Sequence, residues 1–257
     1  MVDAERFYDD LAADYHVLFE DWWTAAMRHG AIVGRLLAAR GRVAGSRVLD
    51  CTCGVGTQAL PLAALGYDVT GTDVSARAVQ RARAEAERRG IEVRLDVADV
   101  RSVRDVVHGS FDAAISCDNS LPHLLTDEDL ARALRSVRAC LVTGATFFAS
   151  IRDYDKLATV RPAGVPITLH GPAGARHGAG QAWSWSAEGD YVDITLFTLA
   201  EDADGGWLAG AHETTYRALR REVLGAALER NGFTDVHWLM PAESGYYQPM
   251  VVAVAQG

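Results

Sequence analysis

The sequence predicts an α/β protein, a doubly wound, mostly parallel seven-stranded sheet with an antiparallel β insertion after strand five. Three observations carry this. Short apolar runs alternate with helical patterns from Arg47 to Ile151, which predicts parallel strands joined by right-handed crossovers. The stretch V-L-D-C-T-C-G-V-G-T, Val48 to Thr57, is strand-like and stops at two glycines before a helical run. That is the geometry in which backbone N–H groups approach a ligand closely. After Ile151 a Gly- and Pro-rich stretch leads into two-residue alternation, the mark of hairpins.

Taken in order, residues 4–39 read as helical, with Phe7, Tyr8, Tyr15, Phe19, Trp22 and Trp23 recurring on one face. Packing on a core explains most of them; so much aromatic surface also suits a lid, with Tyr15 and Trp22 in it. Val48–Cys51 is strand one, and the helix Thr57–Leu65 ends at Gly66. Tyr67–Thr72 is strand two, ending at Asp73, after which Ser75 caps a helix to Arg89 that Gly90 stops. Ile91–Leu95 is strand three and Phe111–Cys117 strand four. Thr126 and Asp129 have capping-box spacing for a helix to Ala139, and Ala145–Ile151 is strand five. Alternation over 182–186 and 191–199, split by Glu188-Gly189-Asp190, makes a hairpin, with Trp207–Thr214 as a third strand. Helix Arg220–Asn231 and strands Thr234–Leu239 and Met250–Ala255 complete the sheet. The expected division is a helical lid over 1–45, an α/β core over 46–151, the insertion over 152–217 and the closing helix and strands over 218–257.

A 257-residue chain with 49% apolar residues has a full core. Its net charge of −9 argues against a nucleic-acid partner. Arginines do cluster between Arg77 and Arg89, but Glu85 and Glu87 interleave them, as on a solvated helix face. No apolar run approaches the ~20 residues of a membrane span, and Met1–Glu20 has no apolar core of a leader. Cys51, Cys53, Cys117 and Cys140 lack paired spacing. A cytoplasmic location, no membrane partner and no metal centre are therefore expected. A homo-oligomer stays open.

The chemistry centres on two acids. Gly54-Val55-Gly56-Thr57-Gln58-Ala59 also satisfies the dinucleotide fingerprint, with Asp73 near the offset of a ribose-binding acid. A pyrophosphate there would face Asp50 with no neighbouring Lys or Arg. A cationic ligand suits that carboxylate, and S-adenosylmethionine carries an ammonium, a sulfonium and a ribose diol. Asp73 would accept from the diol, and Ala98 and Asp99 would hold the adenine edge. Asp99 as a helix-cap acid is an equal alternative.

L-D-C-T-C-G-V-G-T followed by G-Y-D-V-T-G-T-D-V-S resembles the class I S-adenosylmethionine-dependent methyltransferases, a Rossmann-like family, over strands one to five. Thr52 departs from the first glycine of their loop. F-D-A-A-I-S-C-D-N-S-L-P-H-L (Phe111–Leu124) and I-R-D-Y-D (Ile151–Asp155) resemble more narrowly the glycine and sarcosine N-methyltransferase group. Asn119, Ser120, His123, Leu124, Arg152, Tyr154 and Asp155 match, while Asp153 replaces an Asn. The resemblance implies that Arg152 pairs with an acceptor carboxylate and that Asn119 lies beside the reacting amine. A surface ion pair with Asp153 or Asp155 is the alternative for Arg152. The Asn/Asp-Pro-Pro-aromatic loop of DNA adenine methyltransferases is absent, since Asp118-Asn119-Ser120-Leu121 stands there.

The expected donor site is thus Asp50, Thr52, Gly54, Gly56, Asp73, Val74, Ala98, Asp99 and Cys117, with Trp22 from the lid. Asn119 and the Tyr15 hydroxyl would orient the amine, with His123 as the one titratable group placed to help; a structural, hydrogen-bonding histidine is its alternative. Arg152, Asn119, Trp183, His212, Tyr216 and Tyr247 are the acceptor-side candidates, drawn from an aromatic excess in the insertion and the C-terminal tyrosines, where Trp185 and Tyr246 also stand. The expected function is methyl transfer from S-adenosylmethionine to the amine of a small carboxylate-bearing metabolite, with O- or C-methylation of a specialised metabolite as the alternative.

Overall fold

Two helices precede the first strand in the computed structural model, which describes residues 4–202 and 204–257; the first three residues of the expected lid lie outside them. The helical reading of 4–39 breaks into α1 (Ala4–Leu11), a 3-10 turn at Tyr15–Leu18 and α2 (Trp22–Ala38). Phe19 is extended, and the Asp21 carboxylate starts α2 afresh by accepting from Thr24 N at 2.6 Å. The alternating region then gives β1 (Arg47–Asp50), α3 (Ala59–Ala64), β2 (Asp68–Asp73), α4 (Ala76–Arg89), β3 (Arg94–Val97), α5 (Val103–Val106), β4 (Phe111–Ser116), α6 (Asp127–Ala139) and β5 (Leu141–Ser150).

Strand three starts later than expected. Gly90 at φ 64° ends α4, and Ile91 N turns back to Ala86 O at 3.0 Å while Gly90 N bonds Glu87 O at 3.1 Å. That pairing makes Ile91 part of the helix terminus. By its apolar side chain alone Ile91 reads as strand. At α6 only the forward half of the capping box forms. The Thr126 hydroxyl accepts from Asp129 N at 3.1 Å, while the Asp129 carboxylate faces Arg101 at 3.4 Å and Arg132 at 3.6 Å.

The Gly- and Pro-rich stretch is more ordered than its composition suggests. It holds α7 (Tyr154–Val160) and β6 (Gly164–His170), then β7 (His177–Trp185), β8 (Tyr191–Glu201) and β9 (Trp207–Arg217) in a four-stranded antiparallel sheet. Pro166 sits in β6, the edge strand, where the register shifts between Val165 and Thr168; an edge is where a strand tolerates a residue without an N–H. The chain closes with α8 (Arg221–Arg230), β10 (Phe233–Leu239), α9 (Pro241–Ser244) and β11 (Met250–Ala255).

The main sheet has seven strands in the order β10-β11-β5-β4-β1-β2-β3, with β11 antiparallel to both its neighbours. Strand alternation sends Leu49, Ala114 and Phe147 into one core with Leu130 and Leu134 of α6 and Leu224 of α8. Val48, Ala113 and Phe148 enter the other, with Val33 of α2, Leu62 of α3 and Val79 of α4. Two covered faces make the sheet doubly wound. The order reverses between β1 and β4, so a crevice opens at their carboxyl ends. The inserted sheet closes over it through α1: Phe7 and Leu11 pack on Leu196 of β8, and Phe19 O lies 3.0 Å from His177 Nε2.

Candidate active site

The loop after β1 is folded tightly by its own sequence. Gly54 and Gly56 have φ of 53° and 91°, a region glycine enters freely. A Cβ at Gly56 would lie 2.7 Å from Leu60 Cγ, whereas nothing lies within 4 Å of one at Gly54. Gly56 therefore serves packing of α3, and Gly54 opens onto a cavity of about 330 Å³. Gly56→Ala is expected to destabilise the fold by about 1–3 kcal/mol, read by urea denaturation. An unchanged denaturation midpoint would refute this close packing.

Asp73 ties that loop to α4. Its Oδ2 accepts from Gly54 N at 2.8 Å and its Oδ1 from Ser75 N at 3.0 Å. It is 8% exposed, lines the same cavity, and burial pushes its carboxyl above the usual range. Thr52, Val74, Ala98, Asp99, Cys117, Tyr15 and His123 also line this cavity. The structure thus brings together most of the expected donor set, from the ends of β1 to β4 and the turn before α2.

Three expected donor contacts stand elsewhere. Gly56 faces Leu60, as above. Trp22 is buried behind the loop, donating from Nε1 to the Thr57 hydroxyl at 3.2 Å, and only Thr57 reaches the cavity. Asp50 lies beneath the cavity wall, 1% exposed, its Oδ1 accepting from Thr52 N at 3.4 Å. Its Oδ2 has no hydrogen-bond partner among the described residues. Burial, with Asp73 and Asp118 as like charges nearby, pushes its carboxyl up to about 8. Asp99 keeps its place on the cavity but spends its carboxylate as the cap alternative requires. Oδ1 accepts from Arg101 N at 2.8 Å, and Oδ2 holds Arg101 Nε at 2.8 Å and Nη2 at 2.5 Å.

The raised Asp50 carboxyl fixes a pH dependence. The folded state holds its proton more tightly than the unfolded chain, so the contribution to stability is whole below about pH 4 and is lost as pH rises toward 8. Asp50→Asn, which removes the carboxyl, is expected to raise the melting temperature of the ligand-free protein by a few degrees at pH 8 and hardly at pH 4. Equal shifts at both pH values in a calorimetric scan would refute this.

A second cavity, about 200 Å³, lies between the main sheet and the insertion. Asn119, Arg152, Tyr216 and Tyr247 of the acceptor candidates line it, together with Gln181, Thr214 and apolar residues of α1 and β8. Arg152 is held from several sides. Its backbone N donates to Asn119 Oδ1 at 2.9 Å and its Nη2 to Gln181 Oε1 at 3.3 Å. Its guanidinium lies 4.9 Å from the Trp183 ring and 5.2 Å from the Tyr216 ring. Nη1 is buried with no partner among the described residues. The surface ion-pair alternative is not the one formed, since Asp153 and Asp155 both pair with Arg221, at 2.6 and 3.3 Å.

Trp183, expected as a cavity wall, instead backs Arg152 and donates to Gln181 Oε1 at 2.8 Å. His212 lines neither cavity; its ring stands edge-on to Phe7 at 6.5 Å. Asn119, expected beside a reacting amine, has its carboxamide engaged on both ends, accepting from Arg152 N and donating to the Tyr154 hydroxyl at 3.0 Å. It positions Arg152. His123 is a neutral imidazole, lowered to about 3 by burial and by the Arg152 charge. Its Nε2 lies 3.1 Å from the Tyr8 hydroxyl and its Nδ1 3.4 Å from that of Thr214. Burial and Asp118 raise Tyr15, so it stays a phenol.

The two cavities share Tyr8, Tyr15 and Asp118. Tyr8 and Asp118 were not singled out from the sequence as site residues. Asp118 stood in the quoted stretch, beside the Asn119 that drew attention. Its φ of 58° followed by 69° at Asn119 is a left-handed pair of non-glycine residues, the kind of backbone strain that collects at functional sites. Among the described residues no cluster of His, Cys, Asp and Glu forms a candidate metal centre, and no helix is long and apolar enough to cross a membrane.

Known proteins resemble this chain in sequence and in fold. The family described as a methyltransferase domain matches residues 48–144. A glycine/sarcosine N-methyltransferase of Parasynechococcus marenigrum is 31% identical over 163 residues, 63% of this chain and 53% of that protein. A ubiquinone biosynthesis O-methyltransferase of Xanthomonas axonopodis is 30% identical over 153 residues, 57% of this chain and 62% of that protein. The chain thus covers little more than half the length of these curated relatives. The S-adenosylmethionine-bound structure of CalS10, an amino pentose methyltransferase of Micromonospora echinaspora, superposes with a TM-score of 0.69 at 20% identity, covering 95% of each chain. The fold is that of the class I S-adenosylmethionine-dependent methyltransferases, with partial similarity in sequence to the glycine and sarcosine N-methyltransferases.

Proposed function

We propose that this chain transfers a methyl group from S-adenosylmethionine to the amine of a small carboxylate-bearing metabolite by in-line displacement. The observation that carries this reading is the meeting of two cavities, one walled by the glycine loop and Asp73, the other holding the unpartnered Nη1 of Arg152.

The first cavity suits the donor. Its walls carry one cationic side chain, Arg101, already tied to Asp99 and Asp129, so a pyrophosphate finds no free counter-charge among the described residues. Asp73 retains lone pairs beyond its two backbone bonds, enough to accept from a ribose diol. The buried Asp50, pushed up to about 8 and with an unpartnered Oδ2 among the described residues, offsets a cationic ligand across Thr52 only once it gives up its proton. The donor supplies an already activated methyl on a sulfonium sulfur. The chain's own task is then alignment and exclusion of water, with α1 and the Tyr15 turn covering both cavities. Arg152 takes the acceptor's carboxylate, which fixes the amine end toward Tyr8, Tyr15 and Asp118. An amine must be neutral to attack, and with His123 lowered to about 3 and bonded to Tyr8, no dedicated base is assigned.

The test is a screen of amino acids, amines and phenols with isotope-labelled donor, products read by mass. Methylated amines of carboxylate-bearing acceptors are expected. Turnover of hydroxyl compounds alone would overturn the reading. One observation favours that second class, O-methylation: one curated relative is an O-methyltransferase; His123, lowered to about 3, is a poor acceptor of a hydroxyl proton and adds no support.

A further inference from the structure

We propose that Asp118 is the amine-binding group of the second cavity, and that the cavity therefore selects a molecule with an amine at one end and a carboxylate at the other. The inference rests on the reading that this cavity holds the methyl acceptor. It adds a specificity-determining residue that neither the sequence pattern nor the glycine loop identifies.

Two charged side chains line the second cavity among the described residues, Asp118 and Arg152. Asp118 also lines the first cavity and Arg152 does not, so the negative end lies toward the methyl donor. A carboxylate there meets the reacting end of the acceptor, while the guanidinium meets the far end. Between them the walls are apolar or neutral, which makes the two charges the only strong orienting features.

Asp118 is held in place for such a role. The Tyr247 hydroxyl donates to its Oδ1 at 2.9 Å, and the Tyr246 hydroxyl donates to the same oxygen. Gln58 Nε2 donates to Oδ2 at 2.8 Å. Tyr246 is fully buried and Gln58 is 3% exposed, so two of the three donors are locked by packing. A carboxylate offers about four lone-pair sites. Three are used, and the remaining one is on Oδ2. The backbone is fixed as tightly: Asp118 N donates to Ser150 Oγ at 2.8 Å and Asn119 N to Ser150 O at 3.1 Å. Those bonds, from the end of β5, hold the left-handed turn that aims the side chain at the junction of the cavities.

Binding of an amine needs no covalent step here. The ammonium or amine donates one N–H to Oδ2, and its nitrogen lies at the boundary with the donor cavity. An acceptor with a methyl in place of the amine loses that bond and leaves Asp118 Oδ2 one donor short.

The experiment measures binding to the S-adenosylhomocysteine complex by calorimetry. The probes are amino acids from glycine to 5-aminopentanoate, each against the isostere with methyl in place of the amine, propionate for glycine. The wild type is expected to prefer at least one amine over its isostere by about 30-fold, the scale of a hydrogen bond to a charged group. Asp118→Asn is expected to reduce that preference to within about threefold while S-adenosylhomocysteine still binds. No preference anywhere in the wild-type series overturns the proposal, as does a preference that survives in Asp118→Asn. Should Asp118→Asn lose S-adenosylhomocysteine binding, the same ratio is read for Asp118→Ser against the apo protein, with the same two outcomes. The result is separable from the proposed function. Hydroxyl methylation with an Asp118-dependent amine preference sinks the N-methyl reading alone; amine methylation with an Asp118-independent preference sinks this one alone.

Discussion

Arg152→Ala is expected to raise the acceptor KM about a hundredfold and to leave donor affinity within about threefold. The guanidinium lines the second cavity and not the first, and its buried Nη1 has no partner among the described residues. Removing a charge-assisted bond to a carboxylate loses about 1.5–3 kcal/mol, roughly 10- to 150-fold. The alanine also takes away the stacking on Trp183 and Tyr216, about 1–2 kcal/mol, so a fall in melting temperature accompanies the kinetic change. Arg152→Lys separates the two effects. Its ammonium keeps the charge without the planar fork, so KM should recover only in part. Equal changes in donor and acceptor affinity would remove the carboxylate clamp.

The second large effect is at Asp73. Asp73→Ala would strip acceptors from Gly54 N and Ser75 N as well as from any ligand, confounding binding with folding. Asp73→Asn is the cleaner variant, because its amide oxygen keeps one backbone bond. Donor affinity is expected to fall about a hundredfold, from the loss of charged hydrogen bonds to a diol, with the denaturation midpoint shifted much less than for alanine. Calorimetry with S-adenosylhomocysteine reads the first and urea unfolding the second. Unchanged affinity in Asp73→Asn would end the ribose assignment.

Which residues the sequence revealed follows from how local their roles are. Ser75, Gly90 and the glycine loop act within a few residues of themselves, so spacing was enough to find them. The seven strands and their alternation with helices were legible for the same reason, since each strand–helix unit carries its own pattern; their order in the sheet came from the structure. Pro166 lies in the Gly- and Pro-rich stretch, where the sequence pattern marks no strand, yet it sits in an edge strand, because an edge forgives a missing N–H. Asp99 was weighed evenly between ligand and cap, and its bonds to Arg101 favour the cap. Trp22, Trp183 and His212 had the residue types of a pocket wall, yet they stand behind Thr57, behind Arg152 and against Phe7. Aromatic character does not say which side of a neighbour a ring will occupy. Asn119 was singled out for its amide, whose two ends are taken by Arg152 N and Tyr154. Asp118, one residue earlier, turned out to face both cavities.

The sequence by itself determined the layered α/β sheet, the tight loop after β1 and the acids at the ends of β1 and β2. Periodicity, caps and glycine positions are local, and right-handed crossovers leave the topology few choices. The tertiary structure alone decided that Asp50 lies beneath the cavity and that Arg152 keeps a free buried donor. It also decided that Asp118, Tyr8 and Tyr15 join two cavities into one path. These depend on Tyr246 and Tyr247 near the end of the chain, on Gln181 from the insertion and on Tyr8 from α1. Residues so far apart in sequence meet only when the inserted sheet closes over the carboxyl ends of β1 and β4.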